Sequence, residues 1–448
     1  MNLYRTKATP LQKLLIGYFV LLAVGCGALS LNICTSQSLS WLDSCFTATS
    51  ALTTTGLTTL NVADTYSFTG QVVILLLIQV GGLGYMSLAG WLLMDSPYGV
   101  KSPDREEAEM VENDYTVPEG SDHRTFLIKL LWFTVACELI GGIVLSFAFS
   151  AHGESMPVWK GIFIAVSAFC TAGFHLFTDS LQGFTDSVAV NVTVSLLSLA
   201  GSFGFLFFVD VYDRLRGTTE RLGITTRVIL LVMSVSLVGV TATLLLYDPY
   251  FRGGGRWQQD LMAGAFQAVS TISTTGFSTV PIDRLSAASY LLLTVFMFIG
   301  ASPSGTGGGI KNTTAATGVA YVVSVVRRRR DVVLLGARLT QQRVHLAVAL
   351  LIANLIAVVT AGFVLLVRTP DDSLAPIFEV VSALGTVGLS LGTTGEVGPS
   401  GKVLLMVLMI LGRLGTLSVI MAVFGHSPQS GEVADPGDGQ DGDIAIEG

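Results

Sequence analysis

Long runs without a charged side chain punctuate this chain. No Asp, Glu, Lys or Arg occurs between Lys13 and Asp43, nor in Thr65–Met94, Ser187–Val209, Val228–Tyr247, Leu285–Ile310 or Val344–Val367. Roughly 20 apolar residues cross a bilayer as a helix, so these runs predict spanning helices. The pattern reads as long helix, short polar helix, loop, long helix, four times over. Outer helices are expected at Leu11–Leu31, Thr125–Phe149, Arg227–Tyr247 and Arg343–Val367. Short helices are expected at Trp41–Thr53, Pro157–Cys170, Trp257–Ser273 and Ser373–Gly385, and inner helices at Gln71–Met94, Ser187–Val209, Tyr290–Val326 and Lys402–Gly425.

The short elements are not spanning helices. Ser44–Ala63 is uncharged but rich in Thr, too polar to face lipid. Non-helical backbone at membrane depth is tolerated where it lines a water-filled cavity. Each short element also carries one frame, Phe-x-x-x-Ser-x-x-x-Thr-x-Gly followed by Leu or Phe. The four copies are Phe46-Ser50-Thr54-Gly56-Leu57, Phe163-Ser167-Thr171-Gly173-Phe174, Phe266-Ser270-Thr274-Gly276-Phe277 and Phe378-Ser382-Thr386-Gly388-Leu389. The glycines recur at intervals of 103–117 residues, which marks internal repeats. A set of ordinary extracellular loops would not share such a frame. The fold class expected is an all-α polytopic membrane protein. It has four tandem helix–pore-helix–filter-loop–helix repeats around a central pore, and eight spanning helices. The repeats fall at 1–94, 125–212, 213–326 and 327–426.

Composition agrees with a membrane protein. The chain is 51% hydrophobic and 13% charged, with mean hydropathy +0.65, against a charged fraction of about 25% in soluble domains. The net charge of −7 misleads. Residues 95–124 hold nine acids against Lys101, Arg105 and Arg124, and 427–448 hold six acids and no base. These read as a solvated acidic insert and a disordered acidic tail, so the acidic balance says nothing of nucleic acid or substrate. Bases cluster at Arg5, Lys7 and Lys13, at Arg214–Arg227, and at Arg327–Arg330, Arg338 and Arg343. The positive-inside rule makes these cytoplasmic, with both termini inside and the four short loops outside. A cleaved signal peptide is not expected. Cys26, Cys34, Cys45, Cys137 and Cys170 show no metal spacing and read as small free hydrophobes.

A cation leaves water only where protein oxygens replace its hydration shell. Backbone carbonyls do this without a full charge that would trap it. Aiming successive carbonyls at one axis needs unusual dihedrals, which Gly adopts at little steric cost, and each short helix aims the negative end of its dipole inward. The candidate ion-binding residues are Thr54, Thr55, Gly56, Thr171, Ala172, Gly173, Thr274, Thr275, Gly276, Thr386, Val387 and Gly388. Within the third inner segment, Ala301–Gly309 contains Pro303, and five of its nine residues are Gly or Ala. Pro and Gly destabilise helix interiors, so a break is expected there. A nucleotide P-loop is excluded, because Ile310 stands where Gly must precede Lys311. Arg413 lies near mid-span, where a charge costs about 2.5–3.5 kcal/mol on insertion scales, and loop carbonyls are its expected partners. Glu138 reads as a structural hydrogen-bonding group, Glu379 as a cation attractor near the mouth, and Asn354 as a packing group.

On these residues the chain resembles the membrane subunit of the Trk/Ktr/HKT superfamily of potassium transporters, over nearly all of 11–425. The four loops carry the resemblance, together with Gln79-Val80-Gly81-Gly82-Leu83-Gly84, Ser304-Gly305-Thr306-Gly307-Gly308-Gly309-Ile310-Lys311 and Gly412-Arg413-Leu414-Gly415. With eight spans it is most similar to the KtrB and TrkH type of subunit, KtrB above all. The resemblance implies a gate at 301–311, formed by Gly305, Thr306, Gly307, Gly308, Gly309 and Lys311 and contacted by Arg413. It implies potassium uptake across the plasma membrane, with K+ held by filter carbonyls and Na+ as a possible coupling or activating ion. No cofactor is expected on this chain. The implied partners are a second copy, as a homodimer, and a cytosolic ring of nucleotide-binding RCK subunits. In plant-type relatives Ser at the first filter glycine goes with sodium permeation, so Gly56 favours potassium. Two other classes of function fit the sequence less well. A proton- or sodium-coupled carrier of another small solute would need inverted repeats, and these repeats are parallel. An intramembrane enzyme would need a Ser/His or paired-Asp arrangement, and the spans offer none.

Overall fold

The computed structural model describes residues 10–84, 123–219, 221–252, 256–368 and 374–424. The acidic tail, nearly all of the acidic insert and the end of the first inner segment lie outside the described residues. Four outer helices run close to their expected bounds: α1 Pro10–Leu29, α4 His123–Ala151, α8 Ile224–Tyr247 and α12 Gln341–Leu366. Four short helices match within two residues: α2 Trp41–Leu52, α5 Pro157–Phe169, α9 Trp257–Ile272 and α13 Ala375–Leu384.

The inner segments are interrupted, which departs from the expectation of unbroken helices in all but the third, where a break is expected. The first is α3 Phe68–Gln79, which runs into a π turn at Val80–Gly84. The second splits into α6 Val188–Phe203 and α7 Phe205–Leu215, bent by 92° at Gly204. The third splits into α10 Ala287–Phe298 and α11 Asn312–Val326 around the expected break. The fourth splits into α14 Gly398–Leu414 and α15 Thr416–Phe424 at Gly415. Gly204 and Gly415 hold φ +79 and +85, dihedrals that interrupt the helix ladder and that Gly adopts readily. Among the described residues, three helices are long and apolar enough to cross a membrane alone, Ile128–Ala151, Ile224–Tyr247 and Gln341–Leu366, and the bent pair α6–α7 makes a fourth. The all-α expectation needs one correction. Between α11 and α12 a small hairpin pairs β1 Val333–Leu334 with β2 Ala337–Arg338. Its two-residue turn, Leu335-Gly336, has positive φ at both positions, the geometry that suits strand twist.

The burial pattern is inside-out relative to a soluble protein. Outer-helix residues such as Trp132, Phe147 and Phe363 are 68–75% exposed, whereas the C-terminal halves of the short helices are buried. The pattern phenylalanines Phe46, Phe163, Phe266 and Phe378 are all buried, as are Leu57, Phe174, Phe277 and Leu389 after each glycine. Packing runs in a cycle. The inner helix of each unit lies on the short helix of the next: α3 on α5, α6 on α9, α10 on α13, and α14 on α2. A buried-edge ion pair, Lys402 Nζ to Asp43 Oδ1 at 2.6 Å, ties α14 to α2 where the cycle closes. A multi-pass helical membrane protein follows from these helices and this surface.

Candidate functional site: a ring of four loops above an internal loop

Each short helix ends in the same hydrogen-bonded turn. Thr54 N donates to Ala51 O and Thr55 N to Ser50 O, at 3.1 and 2.8 Å. The pairs Thr171–Ala168 and Ala172–Ser167, Thr274–Thr271 and Thr275–Ser270, and Thr386–Ala383 and Val387–Ser382 repeat it. This is the Schellman arrangement, which places the residue after the cap in the left-handed region. The four threonines there have φ of 48–58°. The left-handed conformation costs an ordinary L-residue roughly 1–2 kcal/mol, and a β-branched residue is a real outlier there. Strain repeated at four equivalent sites points to a functional role for the threonine side chain.

Two residues on, Gly56, Gly173, Gly276 and Gly388 hold φ between +68 and +90. A Cβ on Gly56 would overlap the Ala172 carbonyl oxygen. One on Gly173 would overlap Thr275 O, one on Gly276 would overlap Val387 O, and one on Gly388 would overlap Thr55 O. Each loop thus abuts the middle carbonyl of the next, and the fourth returns to the first. The loops form a closed ring, and no side chain larger than hydrogen fits at its four glycines. The pattern serine supports the ring in two units, where Ser382 Oγ accepts from Gly388 N at 3.1 Å and Ser270 Oγ donates to Phe277 O at 2.6 Å.

The internal loop 299–311 lies directly under the threonines. Thr54 Oγ1 donates to Thr306 O at 3.4 Å, Thr171 Oγ1 meets Thr306 Oγ1 at 3.2 Å, and Gly308 N donates to Thr386 Oγ1 at 3.0 Å. The fourth hydroxyl, Thr274 Oγ1, packs so close to Gly307 that a Cβ there would overlap it. Its neighbours pin the loop: Ser302 N donates to Ser202 O, Thr306 N to Gly201 O and Gly309 N to Gly412 O. Arg413 donates through Nη1 to Thr306 O and through Nη2 to Gly81 O and Gly82 O. Lys311 Nζ donates to Gly307 O at 2.8 Å. A cavity of about 60 Å³ lies beneath, lined by Gly305, Gly307, Lys311, Asn354 and Arg413 among others. Every residue expected at the ring or the loop therefore falls at one of the two, and the two touch.

Two expectations change. Glu379 is fully buried, and its carboxylate takes hydrogen bonds from Ser390 Oγ, Leu391 N, Thr393 Oγ1 and Thr394 Oγ1. It orders the chain after the fourth loop instead of facing an open mouth. Asn354 does more than pack, since its Oδ1 accepts from Thr416 Oγ1 at 2.8 Å across the Gly415 break. The breaks themselves had a signal in the sequence. Gly-x-x-Gly occurs at 81–84, 201–204 and 412–415. The first glycine of each lies against the carbonyl of the last residue of a short helix, Leu52, Phe169 and Leu384 respectively.

A family model described as TrkH, cation transport protein, matches residues 9–432. The chain belongs to this family. It is 32% identical over 401 residues to the Ktr system potassium uptake protein B of Bacillus subtilis, covering 89% of each chain. It is 31% identical to the potassium/sodium uptake protein NtpJ of Enterococcus hirae, covering 90% of each. The crystal structure of the potassium transporter TrkH from Vibrio parahaemolyticus superposes with a TM-score of 0.71 at 22% identity, over 94% of this chain and 86% of that one, a likeness of fold. The Trk/Ktr resemblance seen in the motifs is borne out, and these relatives are ion transporters, not enzymes.

Proposed function

We propose that this chain takes up potassium across the plasma membrane, through a pore on the axis of the four-loop ring. The observation that carries this is the ring itself, in which each filter glycine abuts the next loop's middle carbonyl. Four such carbonyls and four threonine hydroxyls offer a cation stacked oxygens in place of water, and the four short helices add their negative dipole ends. In this reading Thr54–Gly56, Thr171–Gly173, Thr274–Gly276 and Thr386–Gly388 are the selectivity filter. The four units are pore repeats with eight spans, the inner spans of the second, third and fourth being broken, and the domain bounds follow. The loop from Gly305 to Lys311, held by Arg413, is the gate, because it occupies the axis beneath the hydroxyls. Both termini are cytoplasmic, the chain acts as a homodimer, and a cytosolic nucleotide-binding RCK ring moves the gate. Sodium is a coupling or activating ion, a reading favoured by the likeness to the potassium/sodium uptake protein.

The test is growth and potassium uptake in a strain lacking its own potassium uptake systems, with and without sodium. Restored uptake at low external potassium supports the reading. Failure of a well-expressed chain to restore it, together with absence of potassium flux in proteoliposomes, overturns it.

A further inference from the structure

Among the described residues, Glu138 is the single carboxyl at the middle of a long spanning helix. A charge there is expensive and calls for an explanation. Its described hydrogen-bond partners are neutral. Glu138 Oε2 accepts from Gln79 Nε2 at 3.4 Å, and Cys170 Sγ lies 3.9 Å from Glu138 Oε1 and 3.9 Å from Gln79 Oε1. Both partners stand beside the gate. Gln79 immediately precedes the π turn whose Gly81 and Gly82 carbonyls hold Arg413. Cys170 immediately precedes Thr171 of the ring and follows Phe169, whose carbonyl takes Thr306 Oγ1 at 3.0 Å. The π turn also packs on Cys170, since a Cβ on Gly82 would come 2.7 Å from Cys170 Sγ.

The other side of Glu138 faces outward. It lines a groove of about 600 Å³ between α4 and α5, together with Leu139, Gly142, Ile143, Phe147 and Val166. Leu139, Ile143 and Phe147 are 59%, 56% and 75% exposed on this lipid-type surface. Glu138 is thus partly exposed and borders an apolar groove on the lipid-type surface. The fully buried carboxyls among the described residues, Asp248 and Glu379, have no exposure and sit behind several donors each.

We propose that Glu138 is a positioning residue joining the second pore helix to the Arg413 crossing, and a modification site for lipophilic carbodiimides arriving through the bilayer. In the reaction the carboxyl proton passes to a carbodiimide nitrogen and the carboxyl oxygen adds to the central carbon, giving an O-acylisourea. Migration of the acyl group from oxygen to nitrogen then gives a stable N-acylurea. Nothing leaves, and nothing is oxidised or reduced. The adduct fills the groove and strips Gln79 and Cys170 of their shared acceptor. The effect on transport rests on the proposed potassium function, whereas the site of the adduct does not.

The experiment uses the full chain in proteoliposomes, treated with dicyclohexylcarbodiimide or with a water-soluble carbodiimide. Peptide mass spectrometry locates the adduct, and potassium flux is read in parallel. The expected result is an adduct at Glu138 with the lipophilic reagent only, and a fall in flux of about tenfold, the size of an ordinary coupling between sites. Glu138→Gln is expected to transport more slowly than the parent, carry no adduct there and be slowed no further. Glu138→Asp is expected to regain both labelling and inhibition. An adduct elsewhere, stronger labelling by the water-soluble reagent, inhibition of Glu138→Gln, or a full adduct with undiminished flux overturns the proposal. Untreated protein without flux would instead overturn the potassium function, and the adduct map would still decide access.

Discussion

Replacing Arg413 by Ala removes the tie that reaches furthest across the gate. The guanidinium bridges Thr306 O on the loop to Gly81 O and Gly82 O on the first inner segment. Hydrogen bonds to a charged group contribute about 1.5–3 kcal/mol each, so losing one on each side of the bridge already weakens the closed arrangement by at least about 3 kcal/mol. The charge acts as well. A cation on the axis about 8 Å away would be repelled by about 2 kcal/mol at an effective dielectric near 20. The loop does not fall out altogether, because Lys311 still holds Gly307 O and backbone bonds to Gly201, Ser202 and Gly412 persist. About 1.4 kcal/mol is a factor of ten in rate, so basal potassium flux is expected to rise at least about tenfold. Arg413→Lys keeps the charge but loses the planar fork, and its flux should fall between the two. The assay is flux into proteoliposomes without any cytosolic partner, alongside size-exclusion profiles showing that assembly is retained. Unchanged or lower flux in well-assembled Arg413→Ala would refute the gate reasoning.

Other outcomes follow from the same geometry. Gly56→Ser places a Cβ against the Ala172 carbonyl at φ +90, so it should lower the potassium-over-sodium flux ratio; an unaltered ratio would remove the first loop from the filter. Lys402→Met unpairs Asp43 at the junction of α14 and α2, and should lower thermal stability more than the same change at an exposed site such as Lys129. Asp248 gives a pH signature. Burial works to raise its carboxyl, but hydrogen bonds from Ser289 Oγ, Ser286 N and Tyr250 N outweigh this and hold it below the usual carboxylate value. A depressed native pKa stabilises the fold above the unfolded pKa, about 3.9, and that contribution is lost as pH falls through the native value. The melting-temperature gap between wild type and Asp248→Asn should therefore be widest near neutral pH and shrink below about pH 4; a constant gap would contradict it.

Much of this was legible in the sequence because one physical constraint repeats four times. Ser50, Ser167, Ser270 and Ser382 stand where a Schellman turn needs its accepting carbonyl, the threonine stands at the strained cap, and the glycine stands where the next loop leaves no room. That fixed spacing located the short helices within two residues. The inner breaks at Gly204 and Gly415 were harder to see, since hydropathy runs unbroken across them and a single glycine is tolerated in a helix. Only the packing of Gly201 and Gly412 on short-helix carbonyls explains them. Glu379 lies in the fourth short helix as expected, but its enclosure was hidden for a related reason. Its four donors come from residues 390–394, brought back to it by a turn after the fourth loop that no hydrophobic period announces.

The central claim is that a dehydrated potassium ion rests inside the ring of four loops. Crystals grown with thallium in place of potassium would test it through anomalous difference density. The account predicts peaks on the axis, within coordination distance of the carbonyl oxygens of Thr55, Ala172, Thr275 and Val387. A well-ordered ring without such peaks, or thallium bound only elsewhere in the chain, would contradict it.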